Sequence, residues 1–321
     1  MSADRGPAVV ALAGGVGAAR YLRGLVRVVP DDDLTLIVNT GDDREFYGVH
    51  VSPDLDIVTY TLADAIDPEK GYGLRGDSFL IVDTLAGYGH EAWFRLGDRD
   101  LATCLHRTLQ LRDGVGLAAI TDQIRRGQGL GVRILPMSEA PCPTYVTLSD
   151  GRSAHFEEYL ARDGAPDDVA GVDLSAAEAA KAAPGVLDAI AAADMILVCP
   201  SNPVVSIGPI LAVQGVRDAI LASRAPVVGI SPIIGGAPVK GPADRLLRGL
   251  GIEVSARGVA SMYRDWMHGF VIDERDAALA ADIEALGLQT RVVDTLMRDV
   301  SISEALARTT FELAREIGRR P

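Results

Sequence analysis

Five apolar residues, Val9–Ala13, run straight into Gly14-Gly15-Val16-Gly17. Behind them an amphipathic stretch puts Tyr21, Leu22, Leu25 and Val26 on one face. The spacing predicts a strand, a glycine turn and a helix. Such a junction at the start of a chain calls for parallel strands reached through crossovers, so strands and helices must alternate. They do: Leu34–Val38, Met195–Val198 and Val227–Ile230 read as further buried strands, 270–272 and 292–293 as additional candidates, with helical patterns between them. Ser52-Pro53-Asp54 has the composition of a helix start, with Ser as the cap and Pro in the first turn. An amphipathic helix from about Ser303 ends the pattern. The expected fold class is α/β: a Rossmann-like, mostly parallel sheet with helices on both faces.

The middle of the chain breaks this rhythm. Residues 76–128 read as mostly helical, and 144–148 with 153–159 as a β-hairpin closed by a two-residue turn at Asp150-Gly151. Residues 163–173 read as a polar connection. The expected organisation is a nucleotide-binding core from 1–75 and 186–321, with a helical and hairpin insertion over 76–185.

Composition excludes several classes. The net charge is −13, so a general basic surface for nucleic acid is absent. No apolar run reaches the ~20 residues of a membrane span. Residues 1–5 are polar and unlike a signal peptide, which points to a cytoplasmic protein. The three cysteines, Cys104, Cys142 and Cys199, are far apart and form no metal or disulfide spacing. An acidic protein can still hold phosphates through helix N-termini, a few Arg or Lys, or a metal held by carboxylates.

Chemistry-bearing residues gather after the strands. Gly14, Gly15 and Gly17 let backbone N–H groups approach an anion. The motif is a poor dinucleotide fingerprint, because Arg20 occupies the third glycine position and the second strand ends in Asn39 rather than an acid; both count against a nicotinamide oxidoreductase. Asn39-Thr40-Gly41-Asp42-Asp43 lies past the end of the second strand, where adjacent carboxylates suit Mg²⁺. Ser52-Pro53-Asp54-Leu55-Asp56 supplies a second acidic cluster, and Asp54 is a candidate to hold metal or orient a hydroxyl. Arg99, in Leu96-Gly97-Asp98-Arg99-Asp100, is a candidate phosphate partner. Ser201-Asn202 and the loop beginning at Ser231 follow core strands and are rich in Pro, Gly and Ser. Lys240 is a possible phosphate contact within the latter. No zinc-protease, hydrolase-elbow or P-loop motif occurs.

Taken in order, GGVGAARYLRGL, NTGDD, SPDLDIVTYTLAD, GLRGDSF, LGDRDLAT, CPSNPVVSIGPI, SPIIGGAPVKGPA and DERD resemble the CofD/FbiA family, the 2-phospho-L-lactate or phosphoenolpyruvyl transferases of coenzyme F-420 biosynthesis. The resemblance spans residues ~8–300. It implies a Mg²⁺-dependent homodimeric enzyme whose substrates are the deazaflavin Fo and a guanosine diphosphate ester of a small acid, with GMP released. It further implies that Gly14, Gly15 and Gly17 cradle the donor, that Asp42 and Asp43 hold Mg²⁺, directly or through water, that Asp54 orients or deprotonates the Fo hydroxyl, with the metal and base roles exchangeable among Asp42, Asp43, Asp54 and Asp56, and that Arg99 offsets phosphoryl charge. Asn39, Thr40, Asp56, Ser201, Asn202 and Ser231 would contact substrate. Tyr72 stands where relatives carry Trp, so a ring is retained. The competing reading is a nucleotide-sugar-binding regulator of the YvcK-like gluconeogenesis factor type, which would have less reason to keep both the SPDLD and LGDRD clusters.

Overall fold

The structure, a computed structural model, describes residues 6–319; the polar segment 1–5 lies outside them. Seven strands form the central sheet: β1 (Val9–Ala13), β2 (Leu34–Val38), β3 (Arg133–Pro136), β4 (Met195–Val198), β5 (Val227–Ile230), β6 (Gly269–Asp273) and β7 (Gln289–Val293). Their order is β7-β6-β5-β4-β1-β2-β3, with every pairing parallel. The order runs one way from β1 and then back from β4, so the crevice outside the C-terminal ends of β1 and β4 is the topological switch point where such sheets bind ligands.

Alternation along β1 shows why the sheet is covered on both faces. Val10 and Leu12 join one core with Ile196, Val198, Ile220 and Phe270. Val9, Ala11 and Ala13 join the opposite core with Leu22, Leu36, Leu197 and Leu306. Such strands read as continuous apolar runs because both faces exclude water. Helix α1 (Gly15–Leu25) follows β1, α2 (Pro53–Leu62) follows the loop after β2, and α5 (Val300–Gly318) crosses behind α1, where the Tyr21 hydroxyl meets Thr310 Oγ1 at 2.5 Å in a buried hydrogen bond.

The expected 76–185 insertion is not one block. Helices α3 (Asp98–Arg112) and α4 (Leu117–Gly127) lie within it, and then β3 returns to the central sheet beside β2. At four residues, with Arg first and Pro last, β3 gives too little periodicity to be recognised as core. Residues 163–173 are likewise more than a connection, since Val169–Asp173 pairs antiparallel with Tyr145–Leu148 and turns the hairpin into a three-stranded sheet. The second hairpin strand stops at His155, and Glu158–Arg162 winds into a wide helical turn. The turn is four residues, 149–152, with Gly151 at φ +85°. Among the described residues, no helix is long and apolar enough to cross a membrane.

Candidate active site

A cavity of about 600 Å³ opens at the switch point. Its wall is built from the β1–α1 turn, the loop after β2 and the start of α2, the loops after β4 and β5, and parts of the insertion.

Gly17 shows why the first turn must be glycine-rich. A Cβ there would lie 2.3 Å from the Pro200 carbonyl oxygen, so the β1–α1 turn and the loop after β4 touch backbone to backbone. Gly15 takes φ +73°, the left-handed region that glycine enters without strain. The Gly14 N–H donates to Ser201 Oγ at 3.3 Å, and the Gly15 N–H to Asp54 Oδ1 at 2.8 Å. The remaining first-turn amides of α1 have no partner within the helix and carry its positive dipole end.

Asp54 is therefore fixed from two sides. Asn39 Nδ2 donates to its Oδ2 at 2.9 Å and also to the Val205 carbonyl at 3.2 Å, while Asn39 Oδ1 accepts the Gly41 N–H. The residue just past β2 is thus the strut that holds the carboxylate, a donor's job that a ribose-binding acid could not do. Burial nevertheless lifts Asp54 to about 6 against the lowering effect of those hydrogen bonds.

Asp42 lines the cavity beside it, and burial followed by the charges of Asp54, Glu157 and Asp43 pushes its carboxyl well above the usual range. Asp43 turns away from the cavity: its Oδ2 accepts the Ser52 hydroxyl at 2.6 Å and meets His50 Nε2 at 3.1 Å. Ser52 accordingly does not cap α2 with its side chain, as its sequence context suggested; its hydroxyl is spent on Asp43. Glu157, from the insertion, faces the same space, and burial and Asp54 lift it to about 7 against Arg44. Arg44 itself is paired with Glu158 at 2.8 Å.

Two oxygens here have the character that a hard divalent cation takes. Oδ1 of Asp42 and Oδ1 of Asp43 are buried without a hydrogen-bond partner, and the surrounding acids raise the Asp42 carboxyl's affinity for positive charge. Oxygen donors of this kind suit Mg²⁺. Among the described residues, the acidic grouping whose ligand atoms lie within 4.8 Å of one another is a different one, Asp56, Asp100 and Cys104. There Asp56 is already ion-paired with the buried Arg107, and burial pushes the Cys104 thiol far up.

The other expected residues fall as follows. Asp56, Ser201, Asn202 and Ser231 line the cavity; Asn39 and Thr40 lie behind its wall, buried. Asn202 accepts the Val204 and Val205 N–H groups, and Ser231 closes a turn onto Ile233, so both shape their loops. Arg99 is not brought to the site. It is exposed, its guanidinium reaches the Arg75 carbonyl at 3.3 Å, and its backbone N–H donates to Asp77. Arg20 and Arg95 line the cavity instead, with Lys240, whose ammonium is 5.7 Å from the Tyr72 ring centre.

Glu157 and Asp100 on the cavity wall, and Arg107 paired with Asp56, are not among the residues expected from sequence. Trp93 and Phe94 line the cavity and pack on Phe46, with the Phe94 ring stacked on it at 3.8 Å. No local signal marks Glu157, because only the return of the hairpin brings it to Asp54.

A parallel α/β sheet, a glycine turn against a helix N-terminus and buried carboxylates at the switch point together define the kind of cleft in which α/β proteins bind phosphate-bearing ligands. Comparison with known proteins makes this specific. The family model for 2-phospho-L-lactate transferase CofD matches residues 9–305, and the chain belongs to that family. It is 47% identical over 315 residues to the phosphoenolpyruvate transferase of Kitasatospora aureofaciens, covering 96% of this chain and 98% of that one. It is 40% identical over 300 residues to the 2-phospho-L-lactate transferase of Methanosarcina mazei, covering 93% and 98%. A Bacillus halodurans protein of the UPF0052 family shares the fold, with a TM-score of 0.65 at 18% identity, covering 94% of this chain and 98% of that one. The chain is thus a transferase of the CofD type, acting on a phospho-lactyl or phosphoenolpyruvyl group in coenzyme F-420 biosynthesis.

Proposed function

We propose that the cavity transfers the acid-phosphoryl group of a guanosine diphosphate ester to the terminal ribityl hydroxyl of Fo, releasing GMP. The observation that carries this is that one cavity is lined by the α1 N-terminus with the loops after β4 and β5, by the carboxylates Asp42, Asp54 and Glu157, and by the apolar side chains Trp93, Phe94, Phe156 and Leu160. The helix N-terminus and loops suit a nucleotide diphosphate, and the apolar side chains suit a flat ring system.

In this reading the Fo hydroxyl oxygen attacks the phosphorus nearer the small acid, and the bond from that phosphorus to the oxygen of GMP breaks. Asp54 accepts the hydroxyl proton; an elevated affinity for protons near neutrality suits a general base. Asp42, with Asp43 behind it, would hold Mg²⁺, which when bound offsets negative charge on the diphosphate oxygens. Arg20, on the cavity wall at the end of the glycine turn, takes the phosphate role that the sequence reading gave to Arg99. The relatives at 44–47% identity are named phosphoenolpyruvate transferases, which favours the enolpyruvyl ester as donor. We also propose a cytoplasmic homodimer; the exposed Leu80, Ile81 and Tyr88 support a second copy as neighbour. Light scattering that shows a monomer would remove that part.

The test is an incubation of the purified protein with Fo, Mg²⁺ and lactyl, enolpyruvyl or glyceryl guanosine diphosphate, read by mass spectrometry. A product of Fo plus one acid-phosphoryl unit is expected, most readily from the enolpyruvyl donor. Binding of nucleotide sugars without any product would favour the regulatory reading.

A further inference from the structure

The cavity wall carries a second acidic feature that the transfer step does not use. Asp56 comes from α2 and Asp100 from the first turn of α3, and both line the cavity. Asp56 is 5% exposed. One of its oxygens is ion-paired with Arg107, which is itself 1% exposed and also donates to the His50 carbonyl at 3.2 Å. The other, Oδ2, is buried without a donor. Asp100 Oδ1 accepts the Tyr60 hydroxyl at 2.9 Å. Burial, then the charge of Asp56, lifts Asp100 to about 7, so near neutrality it can donate as well as accept.

Acceptors buried on a ligand wall require donors, because an unpaired buried oxygen is costly. A cation is one kind of partner, and the Asp56, Asp100 and Cys104 atoms are close enough to surround one. Arg107 argues against it, since a dication there would lie close to a guanidinium that already neutralises Asp56. The neutral Cys104 thiol is also a poor ligand for a hard ion. Hydroxyl groups satisfy the same oxygens without adding charge, and hydrogen bonds to carboxylates are among the stronger kinds. Acceptors held this close together can take neighbouring hydroxyls of one carbon chain.

We propose that Asp56 and Asp100 form a polyol-reading subsite that accepts hydrogen bonds from the internal hydroxyls of the acceptor's side chain and so sets where its terminal hydroxyl meets Asp54. Arg107 is a positioning residue, holding Asp56 in its rotamer. The inference rests on the transferase reading above for the identity of the acceptor. It explains why a site whose chemistry needs one hydroxyl presents carboxylates beyond those that act on it.

The experiment is calorimetric binding of Fo, and of an Fo analogue with a 5-hydroxypentyl chain in place of ribityl, to the wild type and to Asp100→Asn. The amide keeps an oxygen for Tyr60, and melting temperature and GDP binding report that the variant is folded. The wild type is expected to bind the analogue about tenfold more weakly than Fo, and Asp100→Asn to bind Fo about tenfold more weakly while discriminating less than about threefold between the two. Equal affinity of the wild type for both acceptors, or equal discrimination by the variant, overturns the subsite. A rise in the Mg²⁺ concentration needed for ligand binding in Asp100→Asn overturns it in favour of a cation site. Turnover of Fo by the wild type is scored separately: its absence would refute the transferase reading, while the affinity comparison still reads the subsite.

Discussion

Replacing Gly17 by Ala tests the link between backbone packing and nucleotide binding. The added methyl would stand 2.3 Å from the Pro200 oxygen, about 1.1 Å inside ordinary contact at 3.4 Å, and the obstacle is backbone. The loop after β4 has to move, carrying Ser201, whose hydroxyl accepts the Gly14 N–H. Overpacking of this kind costs about 1–3 kcal/mol, which in a domain of this size lowers the melting temperature by about 2–6 °C. Loss of alignment at a charged ligand costs a further ~1.5–3 kcal/mol in binding, or about 10- to 150-fold in the dissociation constant for GDP. Gly48→Ala is the control. Gly48 has φ +78° with open space around its Cβ position and lies off the cavity wall, so the variant is strained but touches nothing. Its melting temperature should fall by a few degrees, from a left-handed penalty of about 1–2 kcal/mol, with unchanged GDP affinity. Calorimetry and thermal melts on both variants decide the matter. A folded Gly17→Ala protein that binds GDP within about twofold of wild type would refute the reasoning.

Other expectations follow from the buried charges. Asp54, Glu157 and Asp100 all hold protons more tightly when folded, at about 6, 7 and 7. The folded state therefore binds more protons than the unfolded one between about pH 4 and 7, and the metal-free protein loses stability as pH rises through that window. Melts at about pH 5 and pH 7.5 should show this loss, with Mg²⁺ raising the higher-pH value more, because its ligands must be deprotonated. Arg107→Met leaves Asp56 as an unpaired buried charge and should destabilise by about 3–5 kcal/mol in denaturant titrations, with Asp56→Asn in the same chain recovering part of the loss. Arg20→Ala should raise the donor KM about tenfold or more, and Arg99→Ala by less than about threefold, since only the former lines the cavity.

The sequence disclosed most of the fold because the core strands are short apolar runs followed by glycine-, proline- or serine-rich loops, and their C-terminal ends had to converge. It also drew attention to Asp42 and the glycine turn, which lie just past β2 and β1, and to Asp54, which the Ser-Pro-Asp start of α2 marks; all three are on the cavity wall. What it hid depends on contacts between distant segments. Nothing near residue 157 tells of Asp54, and Arg133-Ile-Leu-Pro136 is too brief to announce a strand. Arg99 illustrates the opposite error: a residue type suited to phosphate, in a motif rich in charge, that the start of α3 turns toward solvent and Asp77. Asp43 and Ser52 show a milder version: Asp43 lies behind the cavity wall, bonded to the Ser52 hydroxyl that was expected to cap α2.

The most direct test of the whole account is a single-turnover reaction of protein, Fo and enolpyruvyl guanosine diphosphate, following GMP and the Fo product together, with Mg²⁺ present or chelated and with Asp42→Asn alongside. GMP and product should appear in equal amounts, only with Mg²⁺, and at least ~100-fold more slowly in the variant while GDP binding without metal persists. Product formation that survives both chelation and Asp42→Asn, or GMP release without product, would contradict it.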